Sequence, residues 1–322
     1  MGKLGSLHVE KRERVPLENE EIVNILKRHN VGRYVRLERS MFGYQSDNYL
    51  IRTSRGRFLL KVFYGSAVSS NSFSDILKTT EYLALHGVRT PRPIRTRSRK
   101  LSIFYKGHTV SLQTFIEGKS HMPRPTVKMF KQFGKELGIV DKLLYNYKFR
   151  NQKFSGGPVK FVANLESKQR LTDPYIKEQL TLLKNEFSRI PVNQLTKSLI
   201  HGDAGKGNFI SKDGKISGII DFGSLRYDYM VAEPAFLLSR MHIFENKDKL
   251  KYTAFIKEYC RRSGLKKEEI KYLQLFVKAA IFADLMFAWY AYNAGNKSKY
   301  NDILHYKKML KLINSKKQTL YP

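Results

Sequence analysis

The stretch His201-Gly202-Asp203-Ala204-Gly205-Lys206-Gly207-Asn208, followed by FISKDGKISGII and then Asp221-Phe222-Gly223, decides how the rest of the chain is read. Asp203 and Asn208 stand five residues apart, a spacing that puts both side chains on one tight loop. Asp213-Gly214, set between two short apolar runs, is a two-residue hairpin signal, so the chain leaving Asn208 returns at Asp221 to the same end of a small sheet. Transfer of a phosphoryl group from ATP needs a carboxylate to orient and deprotonate the acceptor hydroxyl, and oxygen ligands for Mg2+ bridging the phosphates. Asp203, Asn208 and Asp221 together supply that set. Neither HGD nor DFG carries much alone; their joint occurrence at this spacing does.

Working upstream, the same chemistry needs a Lys on the phosphates and an acid on a neighbouring helix to hold that Lys. Lys61 interrupts the apolar strand pattern RFLLKVFY, where an unpaired charge would be costly, and Glu81 lies in the helical pattern SDILKTTEYLALHG that follows. The pair is expected to meet. Before that strand, the turn Ser40-Met41-Phe42-Gly43-Tyr44-Gln45-Ser46-Asp47-Asn48 is placed to cover the phosphates with backbone N–H groups and the hydroxyls of Ser40 and Ser46. Its single glycine, Gly43, also suits an ordinary hairpin.

The flanking patterns give the architecture. Leu17 to Asn30 has the periodicity of an amphipathic helix, Tyr34 to Tyr64 alternates as strands broken at Phe42-Gly43 and Arg55-Gly56, and LSIFYKG and HTVSLQTFI read as two further strands. Beyond Glu117-Gly118 the patterns turn helical apart from the hairpin around Asp213-Gly214. The fold class is therefore α+β with two lobes: a β-rich N-lobe over residues 1–112, a hinge at 113–118, and a mainly helical C-lobe over 119–322.

At 42% hydrophobic and 12% aromatic residues the chain has material for large cores, which excludes a disordered protein despite a net charge of +31. The lone Cys260 excludes an internal disulfide and suits a reducing compartment, so the expected location is cytoplasmic. The N-terminus has no apolar secretory segment, although Gly2 and Ser6 fit a myristoylation pattern. The apolar run Leu275 to Tyr292 contains Lys278 and Asp284, which points to a buried helix and no membrane span. Positive charge is spread out: residues 89–106 hold seven Lys or Arg and no acid, and residues 297–317 hold seven against Asp302. A field of this sign attracts polyanions, so a polyanion contact through the basic surface is one expectation and a solvated Lys-rich surface another.

On the HGD, the following Asn and the Asp closing the hairpin, the chain resembles the aminoglycoside phosphotransferase family, the small-molecule branch of the protein-kinase-like fold, which includes homoserine kinase type II and choline kinase. The segments GRFLLKVF and HGVRTPRPI make the N-lobe similar to that of homoserine kinase type II. The resemblance implies a two-lobed protein-kinase-like fold with ATP and Mg2+ as cofactors. It implies Asp203 as catalytic base, Asn208 and Asp221 as Mg2+ ligands, Lys61 as the phosphate-binding Lys with Glu81 as its partner, and a structural His201. It further implies that adenine meets the hinge backbone around Gln113 to Phe115, with Glu117 near the ribose. Where the family usually continues to an Asp after Asp221, this chain has Glu233.

Only nine residues separate Gly223 from Glu233, too few for the long activation segment of a protein kinase, so the expected acceptor is a small-molecule alcohol. Aminoglycosides are polycations and suit a chain of this charge poorly; a homoserine-like amino alcohol or a sugar fits better. The carboxylates to be found in that lobe are Asp228, Glu233 and Asp284; the last, in an otherwise apolar helix, suits either the acceptor pocket or a hydrogen-bonded place in the core. The competing class is an inactive kinase-like scaffold bound to nucleic acid or another polyanion, against which stands the joint retention of Asp203, Asn208, Asp221, Lys61 and Glu81.

Overall fold

The structure is a computed structural model that describes residues 16–42, 46–63, 73–120, 125–148, 155–165, 171–241 and 249–315. The chain opens with helix α1 (Asn19–Leu26), whose first turn is closed by the Glu18 N–H donating to the Glu21 carboxylate at 3.0 Å. Ile22, Ile25 and Leu26 form its buried stripe. They cover one face of a five-stranded antiparallel sheet made of β1 (Tyr34–Phe42), β2 (Ser46–Thr53), β3 (Gly56–Phe63), β4 (Ile103–Tyr105) and β5 (His108–Thr114), in the order β1-β2-β3-β5-β4.

The period of two along β3 sorts its residues. Leu60 and Val62 enter the core under α1 with Tyr49, Ile51, Val110 and Leu112, while Lys61, level with Asn48 and Ser111, is left on the opposite face. Helix α2 (Phe73–Leu85) buries Ile76, Leu77 and Leu83. It stops as SDILKTTEYLALHG implies: Gly87 takes φ +86°, the Val88 N–H donates to the Leu83 carbonyl at 3.0 Å and the Gly87 N–H to the Ala84 carbonyl at 3.2 Å.

The rest is mainly helical: α3 (Val127–Asn146), α4 (Gly157–Asn164), α5 (Pro174–Ser188), α6 (Ala232–Arg240), α7 (Lys249–Ser263), α8 (Leu273–Asn293) and α9 (Tyr300–Asn314). α3 and α7 approach closely because α3 presents Gly138, where a Cβ would lie 2.9 Å from the Tyr259 carbonyl. α8 is long and apolar enough to cross a membrane by length and composition, but it packs against α4, α5, α6 and α9 inside the larger core. Its Lys278 bonds to Glu186 at 2.9 Å, and its Asp284 lies 3.7 Å from Arg240 of α6.

Two short strand pairs carry the loop that holds Asp203 and Asn208. β7 (Phe209–Lys212) and β8 (Lys215–Ile219) form the expected hairpin, with φ +50° at Asp213 and +69° at Gly214. β6 (Lys197–Ile200) pairs with β9 (Arg226–Tyr229), where the sequence patterns indicate helices on either side of the hairpin and no further strand. Each strand is only four residues long and its partner is remote in sequence, so no local alternation marks it.

Candidate active site

The loop leaves β6 at His201, a fully buried ring whose tautomer its partners fix. Nδ1 accepts from the Asp203 N–H at 3.2 Å, so Nε2 carries the proton and donates to the Ile220 carbonyl at 3.0 Å. One imidazole thus joins the start of the loop to the residue before Asp221, and it packs 4.6 Å from the Phe222 ring.

Gly202 takes φ +78°, and a Cβ there would collide with the Ser224 carbonyl and the Arg226 guanidinium. Its N–H donates to Glu233 Oε2 at 2.9 Å and its carbonyl accepts from Arg226 at 2.7 Å. Glu233 is therefore a buried strut under the loop. Asp228 is likewise buried, bonded to Arg226 at 3.0 Å and to the Tyr229 N–H at 2.7 Å. Behind Glu233, Asp141 accepts from the Tyr259 hydroxyl at 2.6 Å. Burial, with the Glu233 charge adding to it, pushes the Asp141 carboxyl well above its ordinary value. Burial also raises Glu233, against the Gly202 N–H bond and the Arg226 charge that oppose it.

Asp203 sits where these struts converge. Asn208 Nδ2 donates to the Asp203 carbonyl at 2.8 Å and to its Oδ2 at 3.1 Å, leaving the Asn208 amide oxygen without a hydrogen bond among the described residues. The other carboxylate oxygen of Asp203 is bonded to Arg240 at the end of α6, and Arg240 also faces Asp284. Arg240 thus lies between two carboxylates. Burial works against its charge, but Asp284 and Asp203 outweigh it and hold the guanidinium above its ordinary pKa. Burial pushes Asp284 up, the Asp203 charge adds to that, and Arg240 opposes it. Tyr306, in the same group, is pushed up to about 12 by burial and by the Asp284 charge.

Asp221 ends the hairpin in the left-handed region, at φ +67° and ψ +59°, a conformation uncommon for a side chain other than glycine. Its carboxylate is 49% exposed and lies 3.8 Å from Lys61 Nζ. A half-exposed carboxylate and an uncommitted amide oxygen, joined through the Ile220 N–H to Asn208 carbonyl bond of 2.8 Å, suit a hard oxygen-seeking cation that takes its remaining ligands from phosphates and water. Among the described residues no group of three or more His, Cys, Asp or Glu forms a self-contained metal site.

The N-lobe expectations fare differently. Lys61 faces Asp221, but Glu81 does not meet it: the Glu81 carboxylate is bonded to Arg95 at 2.7 and 2.5 Å. α2 is fixed by its buried Ile76, Leu77 and Leu83, and that rotation turns Glu81 to the segment that follows the helix. Ser40 lies level with Tyr49, and Tyr49 with Leu60, so its hydroxyl stands on the α1 face of the sheet, opposite the face that carries Lys61. Gly43 lies outside the described residues. Gln113 is buried level with Leu59, on the Lys61 face, and Phe115 lies under the Arg57 guanidinium at 4.8 Å. Glu117, expected beside a ribose, is bonded to Arg57 at 3.0 Å.

Arg240 is the site residue that sequence patterns did not single out. Its one signal is a charge closing the helix that runs on from the apolar stretch PAFLL, seven residues and hence about two turns beyond Glu233.

Residues 42–271 match the model of the phosphotransferase enzyme family. Among curated proteins the chain is similar to the homoserine kinase of Chelativorans sp. (strain BNC1), at 24% identity over 92% of this chain and 93% of that one. It is also similar to the homoserine kinase of Caulobacter sp. (strain K31), at 27% identity over 91% and 94%. Among solved structures, an amicoumacin kinase in complex with AMP-PNP and Ca2+ superposes with a TM-score of 0.70 at 14% identity, covering 95% of this chain and 96% of that one. A microcompartment-associated aminopropanol kinase superposes with a TM-score of 0.63 at 14% identity, covering 90% and 94%. At these identities the structural likenesses establish the fold, which is protein-kinase-like.

Proposed function

Because the chain belongs to the phosphotransferase enzyme family, we propose that it is a small-molecule kinase that transfers the terminal phosphoryl group of Mg·ATP to the hydroxyl of a small amino alcohol bearing a carboxylate, a homoserine-like acceptor. The observation that carries this proposal is Arg240 between Asp203 and Asp284. A zwitterionic acceptor has a group for each neighbour of the candidate base: its carboxylate replaces Asp203 on Arg240, and its ammonium takes Asp284. Once Arg240 holds the acceptor, the oxygen of Asp203 that it occupied is free to orient the hydroxyl and receive its proton.

Asn208, through its amide oxygen, and Asp221 would hold Mg2+, which when bound neutralises charge on the phosphates. Lys61 would steady those phosphates from the sheet side, the Gly43 turn would cover them, and the hinge at Gln113 to Phe115 would receive adenine. Residues 1–112, 113–118 and 119–322 would serve as N-lobe, hinge and C-lobe. Homoserine kinases among the curated relatives and an aminopropanol kinase among the structural neighbours support an amino-alcohol acceptor. The free thiol of Cys260 and the use of ATP support a cytoplasmic enzyme.

The test is ADP release with Mg·ATP and homoserine, 3-aminopropanol (no carboxylate), 4-hydroxybutyrate (no amine), choline, methylthioribose, sugars and one aminoglycoside, with Asp203→Asn as blank. Homoserine should lead, and Arg240→Gln should narrow its advantage over 3-aminopropanol. Equal rates for homoserine and 3-aminopropanol would remove the carboxylate-bearing acceptor, and no acceptor-dependent release from any compound would remove amino alcohols as the substrate class.

A further inference from the structure

The run at residues 89–106, with seven Lys or Arg and no acid, plays no part in the chemistry above. The fold divides it. Arg89 pairs with Glu136, Arg95 with Glu81 and Lys106 with Glu21, so three of these charges are neutralised locally. Arg97 and Lys100 are not: with Arg28 from the end of α1 they line a cavity of about 560 Å3 whose walls contain no carboxylate, and none of the three forms an ion pair with a described residue. The cavity lies at the β4 edge of the sheet, two strands beyond the β3 strand that carries Lys61, and no residue of the candidate active site lines it.

Hydrogen bonds of backbone and side chains fix the turn that lines the cavity. The Thr96 N–H donates to the Lys100 carbonyl at 2.8 Å, and the Lys100 N–H donates to the Thr96 hydroxyl at 3.0 Å, closing the turn that carries both cations. The Arg97 N–H donates to the Arg28 carbonyl at 2.8 Å and its Nε to the Lys27 carbonyl at 3.2 Å, which docks the turn on the end of α1. The same lining includes Phe104 of β4, 73% exposed and among the most exposed large apolar side chains described, together with Ser98 of the basic turn and Ser102. Cations that track a backbone beside an aromatic face open to solvent are the two parts of a single-strand nucleic-acid site: phosphates meet the cations and a base stacks on the ring.

We propose that this cavity binds a short segment of single-stranded nucleic acid, with its phosphates on Arg28, Arg97 and Lys100 and one base on Phe104. A small inorganic anion would use the cations and leave the ring idle, and a duplex would present no free base to it.

The test is fluorescence anisotropy of a labelled oligouridylate of about ten nucleotides at about 50 and about 200 mM salt. It compares the full chain with Arg28→Gln/Arg97→Gln/Lys100→Gln, with Phe104→Ala, and with Lys128→Gln/Lys177→Gln/Lys257→Gln, which removes the same charge from exposed lysines of α3, α5 and α7. The cavity triple variant should weaken binding by about 20-fold and lower the slope of log affinity against log salt by about 2. Phe104→Ala should weaken binding by about 10-fold, and the distant triple variant should leave it near wild type. All variants should still melt cooperatively, since every substituted side chain is exposed and Arg97→Gln removes only the Nε bond to the Lys27 carbonyl while the Arg97 N–H bond to Arg28 stays. Three outcomes would each overturn the proposal: no binding at the lower salt, an equal loss in the distant triple variant, or full competition by inorganic polyphosphate together with no effect of Phe104→Ala.

Discussion

The two sides of the cleft are built by different means. On the C-lobe side, Asp203 is fixed by His201, Asn208 and Arg240, and the loop behind it hangs from Glu233 and Arg226, so nearly every polar atom near the candidate base has a partner at hydrogen-bond distance. On the N-lobe side, Lys61 has one carboxylate at 3.8 Å, and Glu81 is committed to Arg95. The C-lobe side is thus set before any ligand arrives, whereas the cation on the N-lobe side is held by a long contact to the other lobe. Preorganised groups stabilise developing charge most, so the largest losses on substitution belong to the C-lobe side.

The largest expected effect is that of Asp203→Asn, which keeps size and the Asn208 contact but cannot accept the hydroxyl proton. Turnover should fall by about 10^3-fold or more while nucleotide binding, followed by equilibrium dialysis, stays within about twofold. Next, Lys61→Met should lower kcat/KM for ATP by about 10^2-fold. Unchanged steady-state kinetics would show that the 3.8 Å contact with Asp221 is not functional and would collapse the comparison.

Asp141→Asn tests the buried strut through pH. Burial raises the folded-state pKa of Asp141, so the native chain holds that proton to higher pH than the unfolded chain does. The associated stability is complete below the ordinary carboxylate value and is lost as pH climbs through the raised one. An Asn has no proton to lose, so Tm of the variant should gain on wild type from about pH 4 toward neutral; a constant difference would show that Asp141 does not titrate there. The smallest effect belongs to Glu81→Gln. Breaking a half-exposed pair with Arg95 should cost at most about 1 kcal/mol and leave KM for ATP within about twofold. A rise in that KM matching the effect of Lys61→Met would restore Glu81 as the partner of Lys61 during turnover.

How much of this was legible follows the same division. The Asp203–Asn208 relation is five residues of one loop, and the return of Asp221 is written in the Asp213-Gly214 turn, so short-range geometry sufficed. Lys61 was legible because a charge in the middle of RFLLKVFY has to face away from a core, and period-two alternation says where. Glu81 misled because an acid in the right helix says nothing of the direction it faces: about 100° of rotation separates neighbouring residues, and Ile76, Leu77 and Leu83 chose the face. Ser40 misled for the matching reason in a strand, where register assigns it to the side of Tyr49.

Local chemistry in the sequence by itself determined the lobed α+β plan, the loop that brings Asp203, Asn208 and Asp221 together, and the excess of positive charge. Tertiary structure alone decided that Arg240 would stand between Asp203 and Asp284, that Glu233 would become a strut, and that Arg28, Arg97 and Lys100 would be left without carboxylates around one cavity. The physical reason is range. Turns, caps and strand alternation are settled within a few bonds, whereas the partner of a charge depends on which elements the apolar cores bring together, and that is set by the packing of the whole chain.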